Sequence, residues 1–167
     1  VKPPQLTPLS ALAIAQLASE VGIPDGVLNI VPSTDSKGVG KVLTEHPLIR
    51  KFSFTGSTEV GKQLMQQCAS NMKKVSFELG GNAPFIVFDD ADIDHAVEQL
   101  MICKFRNAGQ TCISANRILV QENVLDAFVN KLKAAMSDLK VASGTADEVD
   151  YGPLINNAAI EKVERLV

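Results

Sequence analysis

Arg50-Lys51-Phe52-Ser53-Phe54-Thr55-Gly56-Ser57-Thr58-Glu59-Val60-Gly61 is the stretch that decides how this chain is built. Arg50 to Phe54 reads as a strand, and Gly56 to Gly61 turns it into a helix with apolar positions Val60, Leu64, Met65 and Cys68. Lys74 to Phe77 then supplies the next strand. Strand, helix and strand in that order imply a parallel sheet joined by a crossover helix. A glycine turn directly after a strand and opening a helix is also where a pyrophosphate could meet backbone N–H groups and the helix dipole. The spacing GxxxxG occurs equally as a tight turn with close helix packing, and on these residues alone both readings stand.

Working outward, Thr7 is the expected N-cap of a first helix with Pro8 at its first position. Leu9, Leu12, Ala13, Leu17 and Val21 recur at helical spacing, and Gly22 closes the run. Val27 to Val31 reads as a short buried strand, followed by a helix over about Ser36 to Glu45. Past Gly80-Gly81 the order restarts. Phe85 to Phe88 is an apolar strand, and Asp89-Asp90-Ala91-Asp92 leads into a helix with Ile93, Ala96, Val97, Leu100, Met101 and Phe105 on one face. Asn116 to Gln121 is the next strand, and Val124, Leu125, Phe128, Val129, Leu132, Met136 and Leu139 mark the next helix. Ala142 to Gly152 is polar and reads as a loop, and Glu161 to Val167 reads as the interior of a helix. The double glycine is the expected domain boundary, dividing residues 1–79 from 80–167.

Composition narrows the partners. With 167 residues, 46% hydrophobic and 21% charged, the chain can bury one ordinary core. Net charge is -3 and no Lys/Arg run is long, so no nucleic-acid partner is expected. No apolar run approaches the roughly 18 residues of a membrane span, so no membrane partner is expected. Three cysteines without CxxC spacing argue against a disulfide framework and suit a reducing compartment, either cytoplasm or, in a eukaryote, mitochondrial matrix. His46 and His95 stand alone, so no metal site is expected. The chain starts at Val1 without a signal or transit pattern.

Chemistry gathers at Asn107-Ala108-Gly109-Gln110-Thr111-Cys112 and at Phe77-Glu78-Leu79-Gly80-Gly81. A cysteine in a polar, glycine-containing segment and a carboxylate beside a double glycine are candidates for a nucleophile and a base. A thiol of ordinary pKa near ~8.5 is mostly protonated at neutral pH, so it needs such a base or a lowered value. The bland alternatives are a buried apolar cysteine and a solvated glutamate at a strand end. Cys68 and Cys103 lie within helical patterns and take the bland reading.

Three segments together carry a resemblance: Phe54 to Gly61, Glu78 to Gly81, and Phe105 to Cys112. In order and separation they resemble signatures of the aldehyde dehydrogenase superfamily, and the similarity runs from Lys2 to the C-terminus. Within it, Glu78 to Asp92 and Lys104-Phe105-Arg106-Asn107 are similar to bacterial succinate-semialdehyde dehydrogenases. The resemblance implies an α/β fold: the second half of a Rossmann-like cofactor domain, residues 1–79, then the first part of an α/β catalytic domain, residues 80–167. It implies NADP or NAD as cofactor, a small aldehyde substrate, and a parent enzyme that forms a homodimer or homotetramer. It further implies that Cys112 attacks the aldehyde to give a thiohemiacetal, that hydride leaves, and that water hydrolyses the resulting thioester with Glu78 as base.

Carried over residue by residue, the resemblance assigns Lys2, Pro3, Pro4, Gln5, Gly56, Ser57, Val60 and Leu79 to the cofactor, with Lys2 and Gln5 at the adenosine ribose. It assigns Arg106 to the distal carboxylate of succinate semialdehyde, against the alternative of an arginine capping a helix end. Two positions depart from many relatives. Gln5 replaces a glutamate found in NAD-specific members, so acceptance of NADP is expected. Ser114 replaces a second cysteine, so no disulfide switch with Cys112 is expected. A sibling substrate such as glutarate semialdehyde fits Arg106 equally. Against the family, the chain is expected to be a middle piece that, taken alone, is inactive and only binds nucleotide or assembles.

Overall fold

Two short parallel sheets carry the chain, one in each of two units that divide between Leu79 and Gly80. The computed structural model describes residues 1–166.

The first unit begins with α1 (Leu9–Glu20) and α2 (Ser36–Glu45). The cap of α1 lies one residue later than the sequence suggests. Pro8, not Thr7, is the N-cap, because the Pro8 carbonyl accepts the first helical bond from Leu12 N–H at 3.1 Å. Gly22 closes α1 at φ +82°, with Gly22 N–H on Ser19 O and Ile23 N–H on Ala18 O, both at 3.0 Å. That pair of bonds needs a left-handed residue at the turn, which glycine supplies without a Cβ penalty. The apolar residues of α1 remain uncovered: Leu9, Ile14 and Leu17 are exposed.

The expected strand Val27–Val31 does not form a ladder. Val1 lies beside it, donating to Asn29 O at 2.5 Å and accepting from Val31 N–H at 2.9 Å. A strand exists by virtue of the backbone it pairs with, and a single residue is too little. The remainder follows the expected alternation. β1 (Lys51–Thr55) pairs in parallel with β2 (Lys74–Glu78), and α3 (Thr58–Ala69) connects them. Phe52 and Phe54 share one face of β1 and meet Phe77 edge-on, with ring centroids 6.2 and 6.0 Å away. Beneath them α2 and α3 are pinned by buried Thr44, whose hydroxyl bonds the Gly40 carbonyl and the Gln67 side chain, both at 2.9 Å.

The second unit repeats the plan. β3 (Ala83–Val87) pairs in parallel with β4 (Ala115–Val120), and α4 (Ile93–Leu100) lies between them in sequence. Asp92 caps α4 by accepting from His95 N–H at 3.1 Å. α5 (Glu122–Ser137) packs on α4, and Val87, Val97, Leu100 and Phe128 form the buried cluster. Phe105 was expected on this stripe but is absent from it. A π-helical stretch, Met101–Phe105, follows α4, and its wider turns rotate later residues away from the core. The same stretch leaves Cys103 half-buried rather than buried. Residues 142–152 are a loop, tied by a bridge between Val141 and Tyr151. α6 (Asn157–Glu164) ends on Arg165, so the helix expected through the last residues stops earlier. Val167 lies outside the described residues.

Candidate active site

In the first unit, the C-terminal ends of β1 and β2 bring several candidate residues to one edge. Thr55 and Glu78 are partners in the ladder, and Gly56 N–H donates to the Glu78 carbonyl at 3.1 Å. The sheet bonding thus continues one residue past β1 and fixes the turn that begins α3. Ser57 is the N-cap of α3, its hydroxyl accepting from Val60 N–H at 3.3 Å. Leu79 folds back over the helix. A Cβ placed on buried Gly61 would lie 2.6 Å from a Leu79 methyl, so glycine permits this close approach. Glu78 itself is exposed at the strand end.

Lys2, Pro3, Pro4 and Gln5 lie on the first extended segment. Pro3 is buried, Lys2 half-buried, and Pro4 and Gln5 exposed. Lys2 lines a cleft of about 490 Å³ with Val31, Asp35, Val39, Val42 and Leu43. Asp35 is engaged as the N-cap of α2, accepting from Gly38 N–H at 2.8 Å. The cleft is a largely apolar slot, and the ammonium of Lys2, one of its lining residues, donates to the Pro3 carbonyl at 2.9 Å.

In the second unit, the chain between the π-helical stretch and β4 carries Arg106 and Cys112, both exposed. Asn107, Ala108 and Gly109 have φ of +53°, +54° and +71° in succession. Three left-handed residues reverse the chain sharply, and Gln110 N–H closes the turn on Asn107 O at 3.1 Å. Such conformations cost about 1–3 kcal/mol for a non-glycine residue and persist only where surroundings enforce them. Two residues after Cys112 the chain is anchored. Ser114 is buried, bonded to the Thr111 hydroxyl by its side chain and to the Thr111 carbonyl at 3.1 Å by its N–H. Cys112 is thus an exposed thiol held between a strained turn and a buried serine.

The aldehyde dehydrogenase family profile matches residues 1–167. The chain belongs to the aldehyde dehydrogenase family. It is 59% identical over 165 residues to the succinate-semialdehyde dehydrogenase [NADP(+)] GabD of Escherichia coli, covering 98% of this chain and 34% of that protein. It is 58% identical to a glutarate-semialdehyde dehydrogenase of Pseudomonas aeruginosa and 57% identical to a 3-sulfolactaldehyde dehydrogenase of Pseudomonas putida, with the same 98% and 34% coverage. Among solved structures, the succinate-semialdehyde dehydrogenase of Burkholderia pseudomallei superposes with a TM-score of 0.96 at 56% identity, covering 99% of this chain and 34% of that one. The chain spans about a third of the length of the curated relatives it matches.

The expected α/β fold holds for this part of the aldehyde dehydrogenase architecture, with parallel strands in each unit. The structure assembles Gly56, Ser57, Val60, Glu78 and Leu79 at one sheet edge, Lys2 on the cleft, and Arg106 and Cys112 on the segment between the π-helical stretch and β4. Sequence reading did not single out Lys104 or Asn116, whose side chains meet beside that turn. Lys104 stood in the sequence only as a member of the Lys104–Asn107 motif and Asn116 only as the first residue of a strand, neither with a role of its own.

Proposed function

We propose that the whole protein is an NAD(P)-dependent aldehyde dehydrogenase that oxidises succinate semialdehyde to succinate. The carrying observation is that Arg106 and Cys112 are both exposed on the one segment that joins the π-helical stretch to β4. The substrates in the names of three relatives, succinate semialdehyde, glutarate semialdehyde and 3-sulfolactaldehyde, each join an aldehyde to an anionic far end. An arginine close in sequence to a nucleophilic thiol suits that pattern, since a guanidinium pairs with carboxylate or sulfonate oxygens through charge-assisted hydrogen bonds.

In this reading the Cys112 thiolate adds to the aldehyde carbon, giving a thiohemiacetal that becomes a thioester on loss of hydride. Water then cleaves the thioester and Cys112 leaves as thiolate. Glu78 is assigned as the base that takes the proton from the thiol or from that water. Arg106 orients the substrate by its distal anion. The left-handed turn fixes where the thiol sits.

The first unit supports a dinucleotide site in kind. Gly56-Ser57 opens α3 directly after a strand, where the first helical N–H groups lack intrahelical partners and can face phosphates. The apolar cleft beside Lys2 suits a flat base next to a ribose. When bound there, the nicotinamide cofactor supplies the hydride acceptor. Gln5, exposed and neutral, offers no carboxylate to repel a 2′-phosphate, so NADP is accepted along with NAD.

The test uses the full-length enzyme and NAD(P)H absorbance. Cys112→Ala should abolish turnover. Arg106→Ala should lower kcat/KM for succinate semialdehyde by about ten- to a hundredfold and leave an uncharged aldehyde of similar length nearly unaffected. Equal losses on both substrates would remove Arg106 from substrate recognition. A second reading, glutarate semialdehyde as the preferred substrate, rests on the near-equal identity to that relative. A chain-length series of ω-carboxylated aldehydes separates the two.

A further inference from the structure

The bottom of the second sheet contains an irregularity that the catalytic reading does not use. Ala83 faces Ala115 across the β3–β4 ladder, but Pro84 faces Arg117, so Asn116 is left over as a bulge. A bulge releases one residue from the ladder and re-aims its side chain. Here the Asn116 amide is held at both ends. Its Nδ2 donates to the Gly81 carbonyl at 3.0 Å, and its Oδ1 accepts from Lys104 Nζ at 3.1 Å.

Each of those partners touches the segment of the nucleophile. A Cβ on Gly81 would lie 3.2 Å from the Cys112 carbonyl oxygen, so the Gly81 backbone runs against the Cys112 backbone. A Cβ on Gly109 would lie 2.9 Å from the Lys104 carbonyl oxygen, so the Lys104 backbone buttresses the left-handed turn. Lys104 and Asn116 therefore connect, through one side-chain contact, the two backbone surfaces between which Cys112 is set. The geometry points to Asn116 and Lys104 as positioning residues that clamp the Gly81 segment and the Asn107–Gly109 turn around the Cys112 segment. Neither residue reacts; the clamp fixes the direction of the thiol. The inference rests on the reading of Cys112 as the nucleophile.

The test uses the full-length enzyme and two assays. The first follows p-nitrophenolate release from p-nitrophenyl acetate, in which the thiolate adds to the ester carbonyl, phenolate leaves and an acyl-thioester remains; it needs neither cofactor nor a particular aldehyde. The second is kcat and KM for aldehyde oxidation. Asn116→Asp keeps the volume and the partner for Lys104 but replaces the donor to Gly81 with an acceptor. With Lys104→Met, it should lower ester acylation and kcat by about ten- to a hundredfold with little change in KM for cofactor, as for a nucleophile displaced by about an ångström. Lys104→Arg retains a donor and should recover most of the rate. Unchanged acylation in Asn116→Asp, or a loss that merely follows a lowered unfolding midpoint, overturns the clamp. So does failure of Lys104→Arg to exceed Lys104→Met. Acylation that survives Cys112→Ala defeats the nucleophile reading itself, and the clamp with it; lack of activity on succinate semialdehyde with normal, clamp-dependent acylation defeats only the substrate assignment.

Discussion

The backbone N–H of Gly56 donates to the carbonyl of Glu78 at 3.1 Å, so the turn that opens α3 and the residue assigned as base are fixed to each other by main chain. A change in the turn is therefore transmitted to the strand end that carries the carboxylate. The side chain of Glu78 stays free to work because its backbone, not its carboxylate, makes this link.

Ser57→Ala tests the cap at that turn. Losing the hydroxyl that accepts from Val60 N–H should cost about 0.5–1 kcal/mol, at the lower end for N-caps because the bond is long. Ser57→Gly should cost only a few tenths of a kcal/mol, roughly, since glycine is a tolerated cap. Urea midpoints of the full-length protein measure both, and KM for NADP should rise in Ser57→Ala if this turn receives phosphate.

Gly109→Ala should be disruptive. The new methyl would meet the Lys104 carbonyl at 2.9 Å at a φ of +71°, so strain and contact add, costing about 1–3 kcal/mol. Ala108→Gly is the control: relief of left-handed strain, about 1–2 kcal/mol, outweighs the roughly 0.4–1 kcal/mol lost to greater unfolded-state entropy. Its stability should hold or rise slightly. Equal destabilisation by both would show that the turn is not set by backbone strain.

Phe128→Ala removes the largest fully buried side chain and should cost about 3–5 kcal/mol through lost transfer energy and the remaining cavity. Leu119→Ala, on an exposed position of β4, should change stability by no more than about 0.5 kcal/mol. Chemical denaturation compares them directly.

Cys68 predicts an alkaline effect. Burial pushes its thiol above the ordinary range, with the nearby Lys73 ammonium pulling partly the other way. The folded state therefore holds this proton more tightly than the unfolded chain does. Its contribution to stability is complete below the ordinary thiol pKa and is lost as pH rises through the raised value. Wild type should lose stability on going from neutral to alkaline pH more steeply than Cys68→Ala, measured by unfolding midpoints across that range. At neutral pH, iodoacetamide should label exposed Cys112 well before Cys68, as read by mass spectrometry.

Much of the architecture was legible residue by residue. Lys51 to Phe54 lay in a strand, Gly22 ended α1, and Val97, Leu100 and Phe128 reached the core, because periodicity and turn chemistry act over a few neighbours. Val27–Val31 was not legible as a non-strand, since its apolar character says nothing about the backbone available beside it. Phe105 missed the core for a related reason: the π-helical stretch changes the count of residues per turn, which helical spacing assumes constant.

The sequence by itself determined the alternation of strand and helix from Lys51 onward, through local spacing, while the family and the candidates Cys112, Glu78 and Arg106 came from the resemblance of three motifs taken together. Tertiary structure decided what holds them. Lys104 and Asn116 are 12 positions apart, Asn116 and Gly81 are 35, and their meeting depends on a bulge in β4 that no local pattern announces. Hydrogen bonds of that reach are fixed by strand register and chain reversal, which are properties of the packed backbone rather than of any short stretch of residues.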